Sequence, residues 1–183
     1  MSFPENPGGG DLSKVLATRI LDVPDYPQPG VVFKDITPLL GDPSAFAPVV
    51  EAMAEQVRAA GATRVAGLEA RGFILAAPVA TRLGCGFVPV RKAGKLPAAT
   101  YREDYQLEYG TATIEVQTDA FGPGDRVLVI DDVLATGGTA RASADLVERS
   151  GAKVAGLSVL LELSFLAGRA KLIGLPVTAL VMF

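Results

Sequence analysis

Val127-Leu128-Val129-Ile130-Asp131-Asp132-Val133-Leu134-Ala135-Thr136-Gly137-Gly138-Thr139 is the run whose reading decides the fold. Four consecutive apolar residues read as a strand covered on both faces, the habit of parallel sheets flanked by helices. Two adjacent carboxylates end that strand. A Thr-Gly-Gly-Thr turn follows, and then a helical stretch from about Ala140 to Ser150. Strand, acidic tip, glycine-rich turn and helix together predict an anion site at the carboxyl edge of an α/β sheet. Glycines let the backbone approach a ligand, and successive N–H groups at the helix start can then point at one phosphate.

The acids narrow the ligand. A site built for phosphate alone has no use for Asp131 and Asp132 beside it. A ligand with both a phosphate and hydroxyls, such as a ribose 5-phosphate, uses both parts. The acids accept from the hydroxyls, and Thr136 to Thr139 hold the phosphate. No G-x-x-x-x-G-K-[ST] run occurs, and the turn does not carry G-x-G-x-x-G.

Composition bounds the rest. The chain has 183 residues, 49% hydrophobic and 20% charged, which suits one globular domain with a full core. The net charge of −3 disfavours a nucleic-acid-binding surface. Histidine is absent, so an acid or base must be a carboxylate, Lys or Tyr. The one cysteine, Cys85, sits in an apolar context and suits a reducing cytoplasm. No apolar run reaches the length of a membrane span. Residues 1–11, with Pro and three consecutive glycines, read as a mobile tail rather than a signal peptide. Residues 12–183 then form the single domain.

Along that domain the pattern predicts a helix over Leu12–Leu21, then a proline-rich loop through Gly30, and a connecting segment over Val31–Ile36. Asp42-Pro43 starts a helix running to about Ala60. Thr63–Leu68 reads as a strand, Phe73–Gly84 as a helix, and Phe87–Val90 as the next strand. Leu96–Gly110 has a weak pattern and reads as a hairpin or flap, with the whole flap region about 92–110. Thr111–Gln117 alternates as a strand, and Val154–Leu161 and Val177–Met182 complete the set. Alternating strands and helices predict an α/β fold: an open, mostly parallel sheet with helices on both faces. Its carboxyl edge collects Glu69, Arg71, Arg91, Lys92, Lys95, Asp131, Asp132 and Glu162. Arg71 suits two-pronged phosphate contact, although a surface ion pair is the plainer reading. The Arg91-Lys92-Lys95 cluster is by itself an ordinary solvated loop, but at a strand end opposite the Arg71 turn it reads as part of a pyrophosphate site.

The Val127–Thr139 run resembles the ribosyl-phosphate signature of the type I phosphoribosyltransferases. Pro29-Gly30-Val31-Val32-Phe33 with Asp35-Ile36, Gly67–Phe73, Arg91-Lys92 with Gly94–Pro97, and Tyr105-Gln106-Leu107-Glu108-Tyr109-Gly110 resemble the adenine-using branch of that family. The matches keep order and spacing from about Arg19 to Leu172. The resemblance implies a core sheet with a flexible flap and a small hood. It also implies Mg²⁺-dependent transfer of ribose 5-phosphate from phosphoribosyl pyrophosphate (PRPP) to N9 of adenine, giving AMP and pyrophosphate in purine salvage.

Roles follow from the same resemblance. Asp131, Asp132, Ala135, Thr136, Gly137, Gly138 and Thr139 hold the ribose phosphate. Glu69, Ala70, Arg71, Arg91, Lys92 and Lys95 hold pyrophosphate, with a non-proline cis bond at Glu69–Ala70. Val32, Phe33, Lys34 and Leu163 form the adenine pocket, Lys34 standing where relatives carry Arg. Glu108 serves the purine nitrogens, Tyr109 the flap or ribose, and the catalytic set is Glu108, Asp131, Asp132 and Arg71. Mg²⁺ is expected through PRPP and water, without direct protein ligands. The cationic loop is expected to reach a neighbouring subunit in a homodimer. The competing expectations are a sibling using another base and a PRPP-sensing regulator that has lost catalysis.

Overall fold

The structure is a computed structural model that describes residues 9–106 and 110–183. In chain order, α1 (Gly9–Arg19) leads to an antiparallel pair, β1 (Leu21–Pro24) and β2 (Val32–Asp35), then to α2 (Thr37–Leu40) and α3 (Pro43–Ala59). β3 (Arg64–Leu68), α4 (Arg71–Leu83) and β4 (Gly86–Lys92) follow, then the hairpin of β5 (Thr100–Gln106) and β6 (Thr111–Gln117). β7 (Arg126–Leu134), α5 (Gly138–Arg149), β8 (Lys153–Glu162), two 3-10 turns (Ser164–Leu166 and Gly168–Leu172) and β9 (Val177–Met182) complete the order.

The main sheet runs β5-β6-β4-β3-β7-β8-β9. β4, β3, β7, β8 and β9 are mutually parallel, and the β5–β6 hairpin joins β4 antiparallel. β4 lies on one side of β3 and β7 on the other, so the chain reverses its travel across the sheet between β3 and β7. Such a switch point opens a crevice at the carboxyl ends of two neighbouring strands. The helices that follow those two strands cover opposite faces. Leu75, Val79 and Ala80 of α4 join the core with α1 and α3, whereas Ala142, Leu146 and Val147 of α5 join the core on the other face.

The central strand shows why four apolar residues stand in a row. Leu128 and Ile130 enter the first core, and Val127 and Val129 the second. A two-residue period with both faces buried leaves no position for a polar side chain. Beyond Ile130 the parity breaks, since Val133 packs with the first core and Leu134 with the second. The break falls at the two acids. They do not end β7, as the sequence predicts: pairing with β8 continues to Leu134↔Glu162, while pairing with β3 stops at Gly67↔Ile130. Asp131 and Asp132 therefore stand on a supported strand whose other neighbour has ended, facing the crevice.

Several boundaries differ from the expected ones. Of the expected tail, residues 1–8 lie outside the described residues, and Gly9 already begins α1. α1 stops at Arg19 rather than Leu21, because Leu21 pairs with Asp35 at the start of β1. The connecting segment is thus the strand β2, and the ladder admits Pro24 as its last rung against Val32. Proline is tolerated on such an edge, where its missing N–H faces no partner. The flap region does contain a hairpin, with seven rungs from Thr100↔Gln117 to Gln106↔Thr111. α3 starts as read: Asp42 caps it by accepting from the Ser44 N–H at 2.9 Å, with Pro43 in the first turn. Cys85 is half-buried against the first core, and burial raises its thiol pKa.

Candidate active site

The acid pair and Arg71 meet across the switch point. Asp132 is buried, at 4% exposure. The Nε of Arg71, the first residue of α4, lies 2.7 Å from Asp132 Oδ2. That approach lacks hydrogen-bond geometry, so Oδ2 has a countercharge but no hydrogen-bond partner among the described residues. Asp131 Oδ1 accepts from the Asp132 N–H at 2.9 Å. Burial pushes the Asp131 carboxyl well above the usual range, and the Asp132 charge adds to the push. Burial also raises Asp132, against the pull of Arg71. α4 approaches this closely because residue 72 is glycine. A Cβ there would sit 2.8 Å from the Ile130 carbonyl oxygen and 2.9 Å from Asp131 Oδ1. The same guanidinium lies 4.8 Å over the Phe33 ring, which makes an edge contact with Tyr26 at 5.2 Å. The ion pair that was the plainer reading of Arg71 is present, with a buried partner.

Next to the acids is a cavity of about 130 Å³ lined by Asp131, the Val133–Ala140 segment, Leu157 and Val159. Whole-ligand pockets measure about 300–1,000 Å³, so this one fits a single group of a ligand. It contains Ala135, Thr136, Gly137, Gly138 and Thr139. Gly137 caps α5 at φ +78, and no side chain caps the helix, so its first N–H groups remain available to an anion. The loop is braced from behind. A Cβ on Gly168 would lie 2.2 Å from the Ala135 carbonyl oxygen, and one on Gly137 would lie 2.3 Å from that of Gly168. Arg169 then locks the Gly168 turn to the sheet through its Nη2, 2.7 Å from Glu162 Oε2. Glu162, expected at the ligand edge, is committed to this ion pair.

The other cations are organised by carboxylates. The Glu69–Ala70 peptide is cis. Ala70 stands at the N-cap of α4 without a side-chain cap. Glu69 Oε2 accepts from the Lys92 N–H at 2.9 Å and from Arg91 Nε at 3.1 Å. Burial raises the Glu69 pKa, but those two bonds and the nearby cations outweigh it and hold the carboxyl low. Arg91 also donates to the Lys95 carbonyl oxygen at 3.1 Å. Among the described residues neither Lys92 nor Lys95 has a carboxylate partner, and both are exposed.

For a base, β2 offers one side. Phe33 faces Arg71, while the next residue, Lys34, points its Nζ at Asp22 Oδ1, 2.6 Å away, and over the Phe183 ring. The Lys34 side chain thus points away from the Phe33 side, because successive residues of a strand face opposite ways. β2 pairs with β1 alone, so its other edge leaves the backbone groups around Val32 open to a ligand. Leu163 is half-buried and donates its N–H to the Leu134 carbonyl oxygen at 2.9 Å, just beyond the acids. Glu108 and Tyr109 lie outside the described residues. Sequence reasoning quoted Gly72 only within the Gly67–Phe73 run and gave it no role, and it missed Gly168, which no local pattern marks. It noted Asp35 without a role, where the carboxylate accepts from the Thr37 N–H and hydroxyl, and it missed Glu115.

Two comparisons place this geometry. Residues 40–171 match the model of the phosphoribosyl transferase domain. The chain is 66% identical over 163 residues to an adenine phosphoribosyltransferase of Streptomyces clavuligerus, covering 89% of this chain and 92% of the relative. The chain belongs to the adenine phosphoribosyltransferase family. Solved members of the family share its shape. The enzyme from Thermoanaerobacter pseudethanolicus superposes with a TM-score of 0.90 at 48% identity, over 93% of this chain and 99% of that one. The Saccharomyces cerevisiae enzyme, complexed with an imino-altritol bisphosphate and adenine, gives 0.88 at 36% identity, over 93% and 98%. The type I fold with a mostly parallel sheet and flanking helices is thereby established for this chain.

Proposed function

We propose that the chain transfers the 5-phosphoribosyl group of PRPP to N9 of adenine, forming AMP and pyrophosphate in purine salvage. The observation that carries this reading is the juxtaposition at the switch point. A buried Asp132 oxygen, held by the Arg71 charge but without a hydrogen bond among the described residues, stands next to Asp131, which lines a cavity at the uncapped start of α5. The yeast relative, which binds adenine together with a sugar bisphosphate, supports the same assignment of substrates.

In this reading the 5-phosphate sits on the amides of Ala135–Thr139. Asp131 and Asp132 accept from the ribose hydroxyls and stabilise the positive charge that grows at C1. Arg71 changes partners: pyrophosphate draws the guanidinium off Asp132 and Phe33, which opens the Asp132 oxygen to the ribose and the Phe33 ring to the purine. Phe33 and Leu163 bracket the base, and the open edge of β2 at Val32 reads its polar rim. A base with the wrong donors would leave those groups unpaired, at a cost of about 1–3 kcal/mol each. Ala70, Arg71, Arg91, Lys92 and Lys95 receive the leaving group. Glu108 serves the purine nitrogens and Tyr109 the closing flap.

The residues present fit a Mg²⁺ ion delivered with the substrate. Among the described residues no group of three or more metal-binding side chains converges. The Asp131–Asp132 tip would hold the ion through ribose oxygens and water, and the bound ion would neutralise charge on pyrophosphate. The reading further includes a cytoplasmic homodimer. No described helix is long and apolar enough to cross a membrane. Leu21, Val23, Tyr26 and Val32 are exposed around the β1–β2 pair, apolar surface that a second copy would cover. The test is AMP formation from adenine, PRPP and Mg²⁺, with pyrophosphate in equal amount. Absence of AMP from a folded chain refutes the proposal.

A further inference from the structure

Glu115 is the one wholly buried carboxylate at the root of the flap among the described residues, with 0% exposure, and the reaction above gives it no task. It stands on β6 where the hairpin joins the parallel sheet, through the rungs Arg91↔Glu115 and Lys92↔Ile114. Its two oxygens face two elements. Oε1 accepts from the N–H groups of Lys95 and Leu96, each at 3.0 Å. Oε2 accepts from the Thr100 hydroxyl at 3.2 Å and from Arg102 Nε at 3.1 Å. Four donors on one carboxylate are more than a core position needs, and a buried apolar residue would fill the space more cheaply. The Lys92–Leu96 turn is thereby held between two acids, Glu69 on the cis-peptide side and Glu115 on the flap side.

We propose that Glu115 is a positioning residue for the pyrophosphate grip: it fixes the turn that carries Lys92 and Lys95 and ties that turn to the first strand of the flap. The inference rests on the reading of this turn as part of the pyrophosphate site. The lysine side chains are exposed and unpaired among the described residues, so their aim depends on the backbone beneath them. That backbone has Gly94 at φ +80 and is tied down by the Arg91 bond to the Lys95 carbonyl oxygen and by Glu115. Both anchors are charges, one on β4 and one on its neighbour β6. Glutamine at 115 keeps the shape but supplies one acceptor oxygen where two are used, and turns an N–H₂ group toward existing donors.

The test is binding of inorganic pyrophosphate with Mg²⁺, followed by calorimetry, in wild type and Glu115→Gln, with AMP binding measured in parallel. The dissociation constant for pyrophosphate should rise about tenfold in the variant, as the loss of a supporting partner typically gives, while that for AMP stays within about twofold. If Glu115→Gln does not fold, amide exchange in the wild type carries the test. The Leu96 amide, which donates to Glu115, should exchange at least about tenfold more slowly than the Gly94 amide of the same turn. Equal pyrophosphate binding in the folded variant, a parallel loss of AMP binding, or an unprotected Leu96 amide overturns the proposal. A wild-type chain that forms no AMP refutes the reaction instead, a result that can be told apart from wild-type activity with an unaffected variant.

Discussion

Asp131 carries opposite demands, because the burial that aims it at a ribose also penalises its charge. The folded chain holds its proton more tightly than the unfolded chain does. Its contribution to folding is therefore present below the ordinary carboxylate range and is lost as pH rises through the raised value. Asp131→Asn removes this dependence and keeps an oxygen for the Asp132 N–H. The ligand-free variant should be about 1 kcal/mol more stable than wild type at pH 8, with the difference shrinking toward pH 4. Its turnover should fall at least about 100-fold. Thermal melts across that pH range check the first part, and a difference that does not vary with pH contradicts it. Arg71 makes the complementary case. Arg71→Gln strips the countercharge from buried Asp132, and solvent screening at the half-exposed guanidinium limits the cost to about 1–2 kcal/mol. Adding Asp132→Asn should recover that stability in urea melts without recovering activity, whereas additive losses would show that the two residues do not interact. Both acids and Arg71 were legible from residue type at strand ends. What was not legible is which way a side chain turns. Lys34 faces Asp22 because β2 pairs with β1, a partner hidden behind three prolines.

At the scale of elements, the phosphate loop is only as firm as the turn behind it. Gly168 and Gly137 pack backbone against backbone, and Arg169 pins the turn to Glu162. Gly168→Ala would drive a methyl into the Ala135 carbonyl. It should raise the KM for PRPP about tenfold or more with a smaller change in the KM for adenine. Steady-state kinetics on both substrates check this, and an equal rise in both constants would contradict it. Helices and parallel strands were readable because each has a buried face with a regular period, as in β7, or a cap, as Asp42 provides for α3. The flap hairpin was readable as a hairpin but not in what it does at its root. Glu115 alternates with Ile114 and Val116 as a polar outward residue should, yet the Lys95–Leu96 turn and Arg102 cover it. Alternation reports one covered face and is silent on a loop from elsewhere laid over the other.

For the molecule as a whole, the order β4-β3-β7-β8 creates the crevice, and helices on opposite faces bring their N-termini to it. That arrangement turns residues about 60 positions apart in the chain, Arg71 and Asp132, into an ion pair in one site. The α/β class and the carboxyl-edge location followed from one thirteen-residue run, because a strand buried on both faces can sit only inside such a sheet. Strand order did not follow, since it depends on which faces the connecting helices cover. The central claim is that this crevice joins adenine, and no other common base, to the ribose phosphate of PRPP. The most direct measurement is pyrophosphate release from PRPP and Mg²⁺ with adenine, hypoxanthine, guanine, xanthine and orotate in parallel. Release with adenine alone, matched by AMP, is the predicted result. Release with a different base, or none with any base while PRPP still binds, would contradict it.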